Sequence, residues 1–115
     1  MSLAAAGCIG DGSIEVEGRV LNHAAEPIAG ARVSLEIPER MGTLETGTAV
    51  DGEFHLFDLV APGDYAIPLV VKAKGYKTAR LDIRTSRENR VQVTLSPTGS
   101  VGASTIAHSP EPGRH

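Results

Sequence analysis

The stretch Thr48-Ala49-Val50-Asp51-Gly52-Glu53-Phe54-His55-Leu56 decides how this chain is read. Before Asp51-Gly52, the residues Leu44, Thr46, Thr48 and Val50 alternate with their neighbours, and after it Phe54 and Leu56 resume the same period of two. That period is the mark of a half-buried strand, and an Asp-Gly pair tolerates the positive φ that a tight turn demands. The expectation is a hairpin that folds these two strands against each other.

The period of two continues outward in both directions. Towards the N-terminus, Ile14, Val16, Gly18 and Val20 alternate with Glu15, Glu17 and Arg19. A break holding Pro27 and Gly30 follows, and then Ala31, Val33, Leu35 and Ile37 point inward until Pro38. Towards the C-terminus, Pro62-Gly63 makes a turn before the run Tyr65, Ile67, Leu69, Val71 and Ala73. Ala79, Leu81 and Ile83 then alternate with Arg80, Asp82 and Arg84, and a polar turn over 86–89 leads to Val91, Val93 and Leu95.

Seven short strands with turn chemistry between them, and no helical period, place the chain in the all-β class as a seven-stranded sandwich. Pro68 lies inside the fifth strand and has no N–H to give to a ladder. That strand is therefore expected at a sheet edge or with a bulge.

A chain of 115 residues has room for one domain. Aromatic residues are only 3%, so Val, Leu, Ile and Ala must build the core. Each large one contributes about 1.5–3 kcal/mol when buried. Residues 1–12 are rich in Ala and Gly, and residues 97–115 in Ser, Thr, Gly and Pro, without alternation. They read as a flexible tether and a flexible tail around a domain at 13–96. A net charge of −3 and a pI near 5.7 argue against a nucleic-acid partner. A single cysteine precludes an internal disulfide, and no run approaches the roughly 20 apolar residues of a membrane span.

Several ordered pieces carry a family resemblance: Gly18-Arg19-Val20, Pro27-Ile28-Ala29-Gly30-Ala31-Arg32-Val33, Thr48 through Phe54, Leu59-Val60-Ala61-Pro62-Gly63-Asp64-Tyr65, Gly75-Tyr76 and Val91-Gln92-Val93-Thr94-Leu95. In this order they resemble the carboxypeptidase regulatory-like domain over residues 14–96. The resemblance implies a transthyretin-like Greek-key sandwich with Phe54 and Tyr65 as core anchors. It implies a non-catalytic module of envelope or surface proteins that makes protein contacts, and it names no substrate and no cofactor.

The segment Ala5-Ala6-Gly7-Cys8 resembles the lipobox of bacterial lipoproteins, in which small residues precede a cysteine that receives lipid. Ala5 stands where that motif usually has Leu, and Met1 to Ala4 is too short for a signal peptide. A start just inside the signal peptide accounts for both. Lipid on Cys8 would anchor the module to a membrane through residues 11–13 and place it outside the cytoplasm.

His23, His55, His108 and His115 show no chelating spacing, so no metal site is expected. The transthyretin-like fold also hosts hydroxyisourate hydrolases, whose ending is Tyr-Arg-Gly-Ser. This chain ends Pro112-Gly113-Arg114-His115, and no nucleophile elbow or phosphate loop is present, so no catalytic residue is assigned. A Lys–Asn crosslink like that of collagen-adhesin B-type repeats is not expected, because the first strand has no lysine.

The chain's charge is segregated: Lys72, Lys74, Lys77, Arg80, Arg84, Arg87 and Arg90 crowd a stretch that holds only Asp82 and Glu88 as acids. Arg80 and Arg84 share the outward face of one strand, with Arg87 and Arg90 at the following turn. These four arginines are the candidate partner-binding surface for an acidic protein, lipid headgroups or a second copy. The bland alternative is a set of solvated cross-strand ion pairs. A carbohydrate- or small-ligand-binding module that uses the loops at one end of the sandwich is the second functional reading, with Tyr76 and Phe57 as its candidate exposed rings.

Overall fold

Alternating apolar residues close into two layers because each strand can bury one face only against another sheet. The computed structural model describes residues 12–37, 44–85 and 88–108. Among them run β1 (Ser13–Asn22), β2 (Arg32–Leu35), β3 (Leu44–Gly47), β4 (Glu53–Leu59), β5 (Ala66–Lys72), β6 (Ala79–Arg84), β7 (Glu88–Leu95) and β8 (Thr105–His108). One sheet has the order β4-β1-β7-β8, the other β3-β2-β5-β6. β1 and β7 pair in parallel, and the other neighbours are antiparallel. Sheet neighbours so distant in sequence require the Greek-key crossovers.

The core lies between the sheets. Ile14, Val16, Val20, Leu56, Val93 and Leu95 of one layer meet Val33, Leu35, Ile67, Leu69, Val71 and Ile83 of the other, and all are buried. Phe54 is a buried core residue, as expected, while Tyr65 packs at its margin and donates its hydroxyl to the Ala61 carbonyl at 2.8 Å. That bond bridges the Pro62-Gly63 turn.

The turn at Asp51-Gly52 forms, but the hairpin does not. Gly52 has φ 81°, its N–H donates to Ala49 O at 2.8 Å, and Ala49 N–H donates to Glu53 O at 3.0 Å. This is a three-residue hairpin loop closed by one rung. Beyond that rung the strands part: β3 joins β2 in one sheet and β4 joins β1 in the other. Thr48 explains the parting. Its hydroxyl donates to Ile28 O at 2.6 Å and accepts from Ala31 N–H at 2.9 Å, which binds this segment to the start of β2. Val50, expected to face inward, is exposed at the turn.

Pro68 sits in an interior strand rather than at an edge. Pro68 faces Asp82 of β6, and on the other side Glu36 N–H donates to Pro68 O at 3.1 Å. In an antiparallel strand the N and the C=O of one residue point the same way. The proline nitrogen therefore points towards Glu36, just past the end of β2 at Leu35, where no ladder continues. The missing N–H costs the sheet only its terminal rung, and the β5–β6 ladder is untouched.

The strand count among the described residues is eight, not seven, and the flexible tail expected over 97–115 is corrected for part of its length. Thr105 to His108 pair antiparallel with Val91 to Thr94, and Ile106 is buried in the core. One apolar residue among Thr105, Ala107 and His108 is too short an alternation to show in the sequence. Of the tether read at residues 1–12, residues 1–11 lie outside the described residues.

Candidate functional site

The outer face of β4-β1-β7 is built by register. Three rows cross it: His55, Glu17 and Arg90; then Phe54, Gly18 and Val91; then Glu53, Arg19 and Gln92. The first and third rows turn their side chains outward, and the middle row turns inward. Over these rows lies an open depression of about 690 Å³ that reaches Gly47 and Ala49.

Its charges are matched across strands. Arg19 meets Glu53 at 2.7 Å, His55 Nε2 meets Glu15 at 2.7 Å, and Arg90 meets Glu17 at 2.9 Å. All three pairs are partly exposed to water, so each adds no more than a few tenths of a kcal/mol, by the usual ~0–1 kcal/mol for such pairs. What they do is hold the side chains flat against the sheet. The lining has no hydroxyl, thiol or amine. Its polar side chains are two carboxylates, two guanidinium groups, one imidazole and one amide, nearly balanced in charge.

One serine–histidine pair lies elsewhere. His23 Nε2 is 2.6 Å from Ser96 Oγ, and Ser96 Oγ donates to Ala103 O at 2.8 Å. A hydroxyl has a single proton to give. The shared hydrogen therefore belongs to the imidazole, and Ser96, fully buried, is an acceptor from His23 rather than a nucleophile activated by it. Ser104 Oγ receives the Ser96 N–H at 2.9 Å and donates to Lys77 O at 2.6 Å, while the Lys77 ammonium binds the carbonyls of Ser100 and Gly102. This network holds the segment between β7 and β8 against the chain before β6.

The arginines singled out in the sequence are divided between the two sheets. Arg80 and Arg84 share the outer face of β6, where Arg80 meets Glu36 at 3.1 Å and Arg84 meets Asp64 at 3.1 Å. Arg90 is on β7 in the other sheet, paired with Glu17 rather than at a turn. Arg87 and Cys8 lie outside the described residues. Tyr76 is partly buried against the core and bridges to Pro97, beyond the end of β7. Phe57 is exposed opposite Glu15, which pairs with Glu88 at the start of β7. The two rings lie at opposite ends of the sandwich and cannot form one sugar platform.

Among the described residues, no three His, Cys, Asp or Glu side chains are placed to hold a metal ion. No helix there is long and apolar enough to cross a membrane. The charged depression escaped the sequence reading because Glu15, Glu17, Glu53, His55 and Arg90 meet only through register. The signal was the unbroken outward charge of Glu15, Glu17 and Arg19, which says that this face is polar but not what opposes it.

Comparison with known proteins fits this geometry. The model of the family described as the carboxypeptidase regulatory-like domain matches residues 15–96. Among solved structures, 5-hydroxyisourate hydrolase of Klebsiella pneumoniae superposes with a TM-score of 0.61 at 15% identity, covering 83% of this chain and 98% of that one. GBS52, the minor pilin of Streptococcus agalactiae, superposes with a TM-score of 0.55 at 12% identity, covering 81% of this chain and 48% of that one. At such identities these likenesses show the transthyretin-like sandwich alone. No relative was found among curated proteins.

Proposed function

The chain belongs to the carboxypeptidase regulatory-like domain family, and from that premise we propose that it is a non-catalytic β-sandwich module of the cell envelope or surface that works by protein contact. The observation that carries this reading is the outer face of β4-β1-β7, where two cross-strand ion pairs and the His55–Glu15 contact surround a charge-balanced depression with no hydroxyl, thiol or amine in its lining. The likeness to a minor pilin supports a surface role. The likeness to a hydrolase names the activity to test against.

The decisive experiment has two arms. Purified chain added to 5-hydroxyisourate should leave its spontaneous decay, followed by ultraviolet absorbance, unchanged; acceleration proportional to protein would overturn the non-catalytic reading. A photo-crosslinking amino acid placed at Gln92 in native cells should give discrete protein adducts that are lost on Arg19→Glu. Lipid anchoring through Cys8 is the finer part of the proposal. It rests on the resemblance of Ala5-Ala6-Gly7-Cys8 to a lipobox, and Cys8→Ser should abolish labelling by a fatty-acid analogue and move the protein out of the membrane fraction.

A further inference from the structure

Among the described residues, β4 is the longest strand at a sheet edge, and the edge-facing N–H groups at both its ends are taken while those in its middle are open. Even-numbered positions face β1: Gly52 O accepts from Val20 N–H, and Val60 N–H donates to Gly12 O. The backbone groups of Glu53, His55, Phe57 and Leu59 therefore point to the free edge. Glu53 N–H is taken by Asp51 Oδ1 at 3.0 Å and its carbonyl by Ala49 N–H. Leu59 N–H is taken by Asp58 Oδ1 at 2.8 Å. Among the described residues, His55 and Phe57 are left with two donors and two acceptors at this edge, and Leu59 with its carbonyl.

Other edges are better guarded. On β6 the groups facing outward belong to Arg80, Asp82 and Arg84, all charged, while β3 and β8 are four-residue strands. Charge and shortness are the usual protections of a sheet edge against pairing. β4 has neither at its centre, and Phe57 and Leu59 are exposed beside the open groups.

We propose that β4 is a docking edge for a second copy of this chain, paired antiparallel about a two-fold axis at Leu56. This rests on the contact-module reading above and gives that module a partner. Self-complementarity selects the occupant. With His55 opposite Phe57 of the second copy and Phe57 opposite its His55, the open N–H and C=O groups of both residues are used on each copy, making four hydrogen bonds. Shifting the register by two residues sets one of these residues against the capped Glu53, or sets the His55 carbonyl against the capped N–H of Leu59. In the selected register no like charges oppose one another, and the two Phe57 rings are diagonal neighbours across the axis, within reach of each other. The two β4-β1-β7-β8 sheets become one continuous sheet.

The test is sedimentation equilibrium of the whole chain across a concentration series, with Phe57→Pro as the variant. The Phe57 N–H has no partner among the described residues, so proline, tolerated where an edge N–H faces solvent, should leave the melting temperature unchanged and weaken association by about tenfold or more. Amide exchange supplies a second readout that needs no variant. The His55 and Phe57 amides should gain protection as concentration rises, while those of Glu53 and Leu59 should not. A chain that stays monomeric with fast exchange at both amides overturns the proposal, and so does a dimer that Phe57→Pro leaves intact. Because the chain is tested alone, this outcome is separate from the adducts at Gln92. Failure of any adduct to form at Gln92 in the protein without Arg19→Glu, with a surviving β4 dimer, would instead count against the wider contact reading.

Discussion

A Cβ on Gly18 would stand 2.4 Å from the carbonyl oxygen of Val91, closer than any real contact allows. β1 is the central strand of its sheet and pairs in parallel with β7, and Gly18 lies directly opposite Val91 in that pairing. The same Cβ would meet Val91 Cγ2 at 2.8 Å and Phe54 at 3.1 Å. The glycine in the Gly18-Arg19-Val20 motif is therefore a packing requirement between neighbouring strands of one sheet and has no turn to make.

Gly18→Ala should cost about 3 kcal/mol, the upper end of the overpacking range, because backbone yields less readily than a side chain. Urea unfolding of the two proteins measures it. Adding Val91→Ala should recover little, since the closest clash is with the carbonyl. Full rescue by that second change would show that the side chain, not the main chain, sets the limit.

Thr48→Val should cost about 1–3 kcal/mol, the expense of leaving the Ala31 N–H buried without its acceptor. Thr48→Ser keeps the hydroxyl and should cost clearly less. A Thr48→Val variant that melts with the unaltered protein would remove the hydroxyl as the anchor between β2 and β3.

A chain ending at Ser104 lacks β8 and exposes the core under Ile106. Burial of a side chain of that size is worth about 1.5–3 kcal/mol, and the melting temperature should fall accordingly. An unchanged melt would mean that β8 adds nothing to the sandwich.

Arg80→Gln and Arg84→Gln should each shift stability by less than about 1 kcal/mol, because both ion pairs are about half exposed to water. Double-mutant cycles with Glu36→Gln and Asp64→Asn, repeated at high salt, measure the coupling. A larger, salt-resistant coupling would show that these pairs are structural.

Much of the sandwich was legible because strand period and turn residues are local. Ile14, Val16 and Val20, or Val91, Val93 and Leu95, declare their inward face by alternation alone, and all are buried. The same locality explains the errors. Asp51-Gly52 specifies a tight turn, and the turn is there, but which strands pair beyond it depends on the Thr48 hydroxyl finding Ile28 and Ala31, some 20 residues away. Pro68 announces a missing donor, and the place where β2 ends decides whether that donor is needed. In the candidate site, the outward charges of Glu15 and Glu17 were visible, whereas their partners His55 and Arg90 required the register of three strands.

By itself, then, the chain's order of residues determined the class, the inward faces and the family, since these follow from side-chain period and turn chemistry within a few residues. Only the tertiary structure decided which strands became neighbours, where Asp51-Gly52 leads, and which edge is left open at His55 and Phe57. Pairing in a sheet joins residues distant along the chain, and hydrogen bonds made by two backbones have no signature in either strand alone.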